Sequence, residues 1–242
     1  MQITSVDNSK IKELVKLKQK KYRDSTNLFI IETEKLIYEA YKKNIIKEIY
    51  KLTEYDLNLD IDTYNVTDNV MNKISDLSSS KVLAVCHKQD NNNLEGTKYL
   101  ILDDIQDPGN LGTILRSALA FNIDTVILSS YTCDLYNSKA LLAAKGATFN
   151  LNIIRCDLIE IIKKLKEKNI TVLGTNVENG ITLNNINIKD NYALVIGNEG
   201  NGVSKEILNL CDKTIYIDTN NDSESLNVAM ASSIILYELN KE

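Results

Sequence analysis

The 242-residue chain has one proline, Pro108, one histidine, His87, and nine glycines. Each scarcity excludes something. The lone histidine lies beside Cys86 in the first half of the chain, which argues against a histidine base and excludes a Ser-His-Asp hydrolase. The four cysteines, Cys86, Cys133, Cys156 and Cys211, are scattered and form no CxxC pair. That pattern speaks against a disulfide framework and against a metal site, and for buried thiols in a reducing cytoplasm. No apolar run approaches the ~18 residues of a membrane span, and the N-terminal MQITSVDNSK lacks the apolar stretch of a signal peptide. There is no GK[ST], hence no phosphate-cradling P-loop. The glycine-rich VIGNEGNGVSKEI, 195–207, spaces Gly197, Gly200 and Gly202 three then two. A dinucleotide fingerprint needs two then three, so a nicotinamide-dependent oxidoreductase fails on spacing.

What remains is a chain that is 43% apolar and 25% charged, enough to bury a core. Its net charge of −5 is unevenly spread. Residues 1–51 carry twelve basic against seven acidic side chains, a net of +5, and the remainder is −10. A basic first part on an acidic body points to a polyanion partner for that part. The polar QDNNNLEGT, 89–97, reads as a linker, giving a domain over 1–90 and another over 98–242. In the second, the strand candidates 99–103, 125–129, 171–175, 193–197 and 214–217 alternate with helical spacing over 111–121, 137–145, 158–168, 203–210 and 226–239. This alternation predicts an α/β fold, a parallel sheet flanked by helices. The first domain reads as a small α/β module, opening with one basic helix over 10–23, with strand 28–33 and helix 34–44 behind it.

Three segments have the residues for chemistry. LDDIQDPGNLGTILRSALAFN, 102–122, places Pro108, Gly109 and Gly112 between a strand and a helix, where open parallel sheets bind ligands. Taken alone, Asn110 reads equally as a helix N-cap. Arg116 falls on or beside an apolar helix face, and a desolvated guanidinium there calls for an anion. The second segment, 195–207, puts Glu199 in a glycine-rich turn after a strand. The third, TIYIDTNNDSESLNVAMASSIILYEL, 214–239, runs from a strand through a polar loop into a long helix for which Ser225 offers an N-cap.

In this order the three resemble the motifs of the SpoU (TrmH) family of AdoMet-dependent RNA 2′-O-ribose methyltransferases of the SPOUT class. DDIQDPGNLGTILRSALAFN is similar to motif 1, LVIGNEGNGVSKEIL to motif 2 and IYIDTNNDSESLNVAMASSI to motif 3, and LLAAKGATFNLNI between them is also family-like. SVDNSKIKELVKLKQKKYR, FIIETEKLIYEA and DNVMNKISDLSSSKVLAV resemble an L30e-like substrate-binding domain, with Thr33 standing where such domains usually carry glycine.

The resemblance implies a C-terminal trefoil knot whose main chain lines a slot for S-adenosyl-L-methionine. Thr175, Gly197, Asn198, Ile217 and Leu226 would form that slot, and Asn110, Arg116, Glu199, Ser225 and Asn227 match the active-site positions. It also implies a homodimer through the knot region. The methyl acceptor would be a ribose in RNA, ribosomal more readily than transfer RNA. A non-catalytic RNA-binding protein that keeps the fold is the alternative from another class. A guanidinium, with a pKa above ~12, does not readily give up its proton. Arg116 is therefore read as a grip on the neighbouring phosphate that steadies developing oxyanion charge. Lys16, Lys18, Lys20, Lys21 and Arg23 are candidate contacts to the RNA backbone, and equally read as a solvated helix face.

Overall fold

The structure is a computed structural model, and it describes residues 2–89, 93–176, 180–188, 190–220 and 226–241. The chain forms two compact units. One comprises Met1–Asp90 with Tyr136–Phe149, the other Asn91–Leu135 with Asn150–Glu242.

The first unit contains β1 (Gln2–Ile3), α1 (Ser9–Lys16), α2 (Lys20–Thr26), β2 (Leu28–Glu32), α3 (Glu34–Lys42), β3 (Ile46–Leu52), β4 (Thr63–Val66), α4 (Asp68–Ile74) and β5 (Val82–His87). Its sheet has the order β1-β4-β3-β5-β2. β5 shows why: VLAVCH is apolar at nearly every position, so both of its faces can be covered. Val82, Ala84 and Cys86 pack with Phe29, Ile37 and Leu141 on one side. Leu83 and Val85 pack with Ile11, Leu14, Val70 and Met71 on the other.

The single helix expected over 10–23 is two helices. After Lys16 the chain closes three tight turns, Leu17 N–H to Leu14 O at 2.9 Å and Gln19 N–H to Lys16 O at 2.9 Å among them. Gln19 is extended, with φ −98° and ψ 133°. The reason lies in Arg23. It is buried at 6% exposure, and its Nη1 donates to the carbonyls of Leu17 and Lys18, both at 2.8 Å. The guanidinium satisfies the carbonyls that the end of α1 leaves open. Arg23 is therefore a structural residue and not the free RNA contact expected of it. Lys18 is half spent as well, donating to Ser75 O at 2.8 Å and pairing with Asp76 at 3.0 Å. Lys16, Lys20 and Lys21 are exposed.

The second half of the chain contains β6 (Lys98–Leu102), α5 (Pro108–Ala120), β7 (Thr125–Leu128), α6 (Ser138–Ala144), α7 (Ala147–Asn150), β8 (Asn152–Arg155), α8 (Leu158–Glu167), β9 (Thr171–Thr175), β10 (Ile181–Thr182), β11 (Tyr192–Ile196), α9 (Lys205–Leu208), β12 (Lys213–Tyr216) and α10 (Val228–Asn240). The sheet of the second unit is parallel throughout, in the order β10-β12-β9-β11-β6-β7-β8. Every predicted strand is present to within a residue. β8 and β10 were not among the predicted strands, because NIIR and IT are too short and too polar at their margins to register as apolar runs. α6 keeps its predicted place in the chain but packs into the first unit, where its Leu141 and Phe149 of α7 enter the core beside Phe29. Among the described residues no helix is long and apolar enough to cross a membrane.

A candidate active site at the C-terminal strand ends

Strands β6, β11, β9 and β12 are neighbours and end on one edge of the sheet. The register aligns Ile196 with Leu102, Val195 with Gly174, and Ile215 with Thr175. Thr175 ends β9, Gly197 and Ile217 directly follow the adjacent strands β11 and β12, and Thr175 Oγ1 donates across to Val195 O at 3.0 Å. The edge of a doubly covered parallel sheet is where backbone and side chains of different loops converge.

Each loop is built by identifiable residues. Asp103, 6% exposed, ends β6 and accepts from Ser204 N–H at 2.9 Å, fastening the start of α9. Asp104 adopts φ +62°. Its strain is offset by bonds to Ser129, whose Oγ donates to Asp104 Oδ1 at 2.6 Å and accepts from Asp104 N–H at 3.0 Å. After β11 the chain folds back so that Asn198 and Gly202 exchange backbone hydrogen bonds, both 2.9 Å. A Cβ at Gly197 would lie 2.0 Å from Val203 N, so only glycine fits. Asn198 holds the turn from within. Its Nδ2 donates to Asp104 O at 2.9 Å, and its Oδ1 accepts from Gly200 N–H at 2.9 Å and Asn201 N–H at 3.1 Å.

The helix after β6 begins earlier than expected. Asp107, not Asn110, is the N-cap, with Pro108 in the first turn where its missing N–H costs nothing. Asp107 Oδ1 accepts from Asn110 N–H at 2.9 Å. This frees the Asn110 side chain, and Glu199 takes it: Oε1 accepts from Asn110 Nδ2 at 3.0 Å and Asp107 N–H at 3.1 Å, while Oε2 accepts from Gln106 N–H at 3.1 Å. On the other side Asn227 Nδ2 donates to Asn110 Oδ1 at 3.1 Å. Asn227 is also the N-cap of α10, its Oδ1 accepting from Ala229 N–H at 2.9 Å and Met230 N–H at 3.3 Å. The polarity of this chain is forced. A carboxylate only accepts, so Asn110 must turn its amide nitrogen to Glu199 and its oxygen to Asn227. One network therefore joins all three sequence segments.

Burial opposes ionisation of Glu199, but the hydrogen bonds from Asn110 and from backbone N–H groups outweigh it and hold its carboxyl below the ordinary range. A carboxylate so engaged positions Asn110 and the 106–107 turn; it is a weak proton acceptor. Two further expectations change. Arg116 is exposed and makes no ion pair among the described residues, so it is neither desolvated nor part of the network. The capping role expected of Ser225 belongs to Asn227, and Ser225 itself lies outside the described residues. Leu226, adjoining Asn227, is an exposed apolar side chain at 36%. Of the cysteines, Cys86 is buried and the other three are partly so; burial pushes the Cys133 thiol up to about 11.

A family model described as the SpoU rRNA methylase family matches residues 97–237. The chain belongs to the SpoU rRNA methylase family. A second model, an MRM3-like substrate-binding domain, matches residues 8–84. Among curated proteins, the chain is 36% identical to the 23S rRNA (guanosine(2553)-2′-O)-methyltransferase RlmP of Bacillus subtilis over 98% of both chains. Among solved structures it is similar to an AdoMet-bound rRNA methyltransferase from Sinorhizobium meliloti, with a TM-score of 0.88 and 27% identity over 99% of this chain and 97% of that one. The SpoU family fixes the class of reaction: this member is an RNA 2′-O-methyltransferase that uses S-adenosyl-L-methionine.

Proposed function

We propose that this SpoU methylase modifies a ribose 2′-hydroxyl of large-subunit ribosomal RNA in the cytoplasm, through the site framed by Asn110, Arg116, Glu199, Ser225 and Asn227. The observation that carries the reading is the single network from Glu199 through Asn110 to Asn227. The full-length likeness to a 23S rRNA enzyme favours ribosomal over transfer RNA.

The strand ends fit the methyl donor. Ile217 and Leu226 leave apolar surface accessible, and nothing lies within 4 Å of where a Cβ of Gly202 would point. Thr175, Gly197, Asn198, Ile217 and Leu226 would hold it, mainly by main chain and apolar contact. S-adenosyl-L-methionine supplies an electrophilic methyl group on a sulfonium. The chain's part is to orient the acceptor. The amide groups of Asn110 and Asn227 each carry a second N–H that the network among described residues leaves unused, fixed in direction by Glu199 and by the first turn of α10. Such preorganised donors stabilise charge where it develops on the attacking oxygen. Arg116, exposed and permanently charged, grips the adjoining phosphate.

β12 lies beyond β9, yet α10 returns to pack on α5, where Ser117 and Ser233 hydroxyls meet at 2.7 Å. This return supports a threaded, knotted C-terminal part. Met230, Ile234 and Tyr237 stand 63%, 42% and 58% exposed along α10, an apolar strip suited to a second copy of the chain. Lys16, Lys18, Lys20 and Lys21 give the first unit a basic face for the RNA backbone.

Incubating the enzyme and labelled donor with 23S rRNA from a strain lacking the gene, then mapping 2′-O-methyl sites, tests the reading. The expected result is one new methylated ribose. Arg116→Ala should lose turnover by about 100-fold or more while donor affinity is kept. Near-normal turnover in that variant removes Arg116 from the site, and methylation of transfer RNA alone overturns the choice of substrate.

A further inference from the structure

The loop after β7 bears Tyr131, 79% exposed, the most exposed large apolar or aromatic side chain among the described residues. Its surroundings are unusually fixed. Arg155 Nη1 donates to Ser129 O and Thr132 O, both at 2.7 Å, and Nη2 donates to Cys133 O at 2.8 Å. Ser129 Oγ, whose proton goes to Asp104, accepts from Thr132 N–H at 3.1 Å, and Thr132 Oγ1 donates to Leu102 O at 3.1 Å. Cys133 N–H reaches Ile105 O at 2.8 Å. The carbonyl of Tyr131 itself accepts from Gln106 Nε2 at 3.0 Å. Gln106 is the residue whose backbone N–H Glu199 holds at 3.1 Å. One residue therefore separates the Tyr131 backbone from the network that frames the site.

A surface loop held by a guanidinium fork and two hydroxyls has lost its freedom before any ligand arrives, yet presents a bare aromatic ring. Among the described residues the ring stacks on no other aromatic side chain and bears no cation. Stacking a base on an aromatic side chain is favourable and tolerant of base identity, and a platform ordered in advance avoids the entropy of immobilisation on binding. We propose that Tyr131 is a stacking platform for an unpaired base of the RNA, next to the nucleotide whose ribose enters the site. The inference rests on the methyltransferase reading and adds a residue that sets substrate affinity. Tyr131 makes no contact with the reacting atoms and takes no part in proton transfer.

The chain has no tryptophan, so Tyr131→Trp installs a single indole reporter. Its fluorescence should be quenched by a mixed-sequence single-stranded oligoribonucleotide and unchanged by S-adenosyl-L-methionine alone. An oligomer of abasic sugar-phosphate should leave it unquenched. In methylation assays on unmodified 23S rRNA, Tyr131→Ala should raise KM about tenfold with kcat within twofold, and Tyr131→Phe should restore KM. Quenching by the abasic oligomer as strong as by the intact one, or an unchanged KM in Tyr131→Ala, overturns the platform. If the parent enzyme methylates no ribosomal RNA, the functional reading fails by itself, and the quenching comparison still decides the platform.

Discussion

Glu199 holds three donors of the single segment 102–122 with two oxygens. Glu199→Gln keeps the shape but offers one acceptor and an N–H₂ group that faces donors. Turnover should fall on the order of 100-fold through misplacement of Asn110, with donor affinity within a few-fold, measured by single-turnover kinetics and calorimetry. The carboxyl is depressed, so the ordered network is complete at neutral pH and is lost as pH falls through a value below the ordinary carboxylate range. The rate should therefore stay level from neutral to mildly acid pH as far as Glu199 is concerned. Thr33 shows the same kind of residue-scale logic. It has φ +82° with no capping bond from its side chain, a conformation that a β-branched residue adopts only under strain. Thr33→Gly should stabilise the protein by about 1 kcal/mol, read as a raised urea midpoint. The departure at Thr33 was visible in the sequence, and the strain it marks needed the backbone. For Arg116 and Asn110 the sequence supplied the identity of the residues but not their state. Exposure of Arg116 and the role of Asp107 as cap depend on where α5 begins, three residues before the expected start. The Asp-Pro pair at 107–108 is the signal that could have placed it.

At the scale of elements, the parallel sheet was legible because its central strands β6, β7 and β11 carry apolar runs buried on both faces. The basic stretch 10–23 was misread for a physical reason. Helical spacing of Ile11, Leu14 and Leu17 continues smoothly, and nothing local says that Arg23 will turn inward to bind the carbonyls of Leu17 and Lys18. Arg23→Ala should cost about 3 kcal/mol by leaving those carbonyls buried and unmet, seen in equilibrium unfolding, without altering the salt dependence of RNA binding. Gly197→Ala brings a methyl group against backbone at Val203 and Gly202. The 198–202 turn must open, so Glu199 leaves Asn110. Activity should disappear while circular dichroism of the sheet persists.

Across the whole molecule, charge is divided rather than balanced: +5 in residues 1–51 and −10 beyond. If the basic part meets the RNA backbone, replacing Lys16, Lys18, Lys20 and Lys21 by glutamine should flatten the slope of log affinity against log salt by up to roughly 0.7–0.9 per phosphate contact removed. Binding titrations at several salt concentrations measure this, and an unchanged slope assigns those lysines no contact. Lys18, tied to Ser75 and Asp76, should contribute least. For the strip on α10, a Met230→Asp/Tyr237→Asp double variant should run as a monomer in light scattering.

Residues 136–149 belong to the first unit although they follow β6, α5 and β7 of the second. Protein synthesis delivers the chain in order, at about 5–20 residues per second. The leading unit therefore leaves the ribosome without Leu141 and Phe149, and waits some seconds for its missing helix to be translated. A gene truncated after codon 90 would encode not a detachable RNA-reading module but a piece with an open flank, prone to clump.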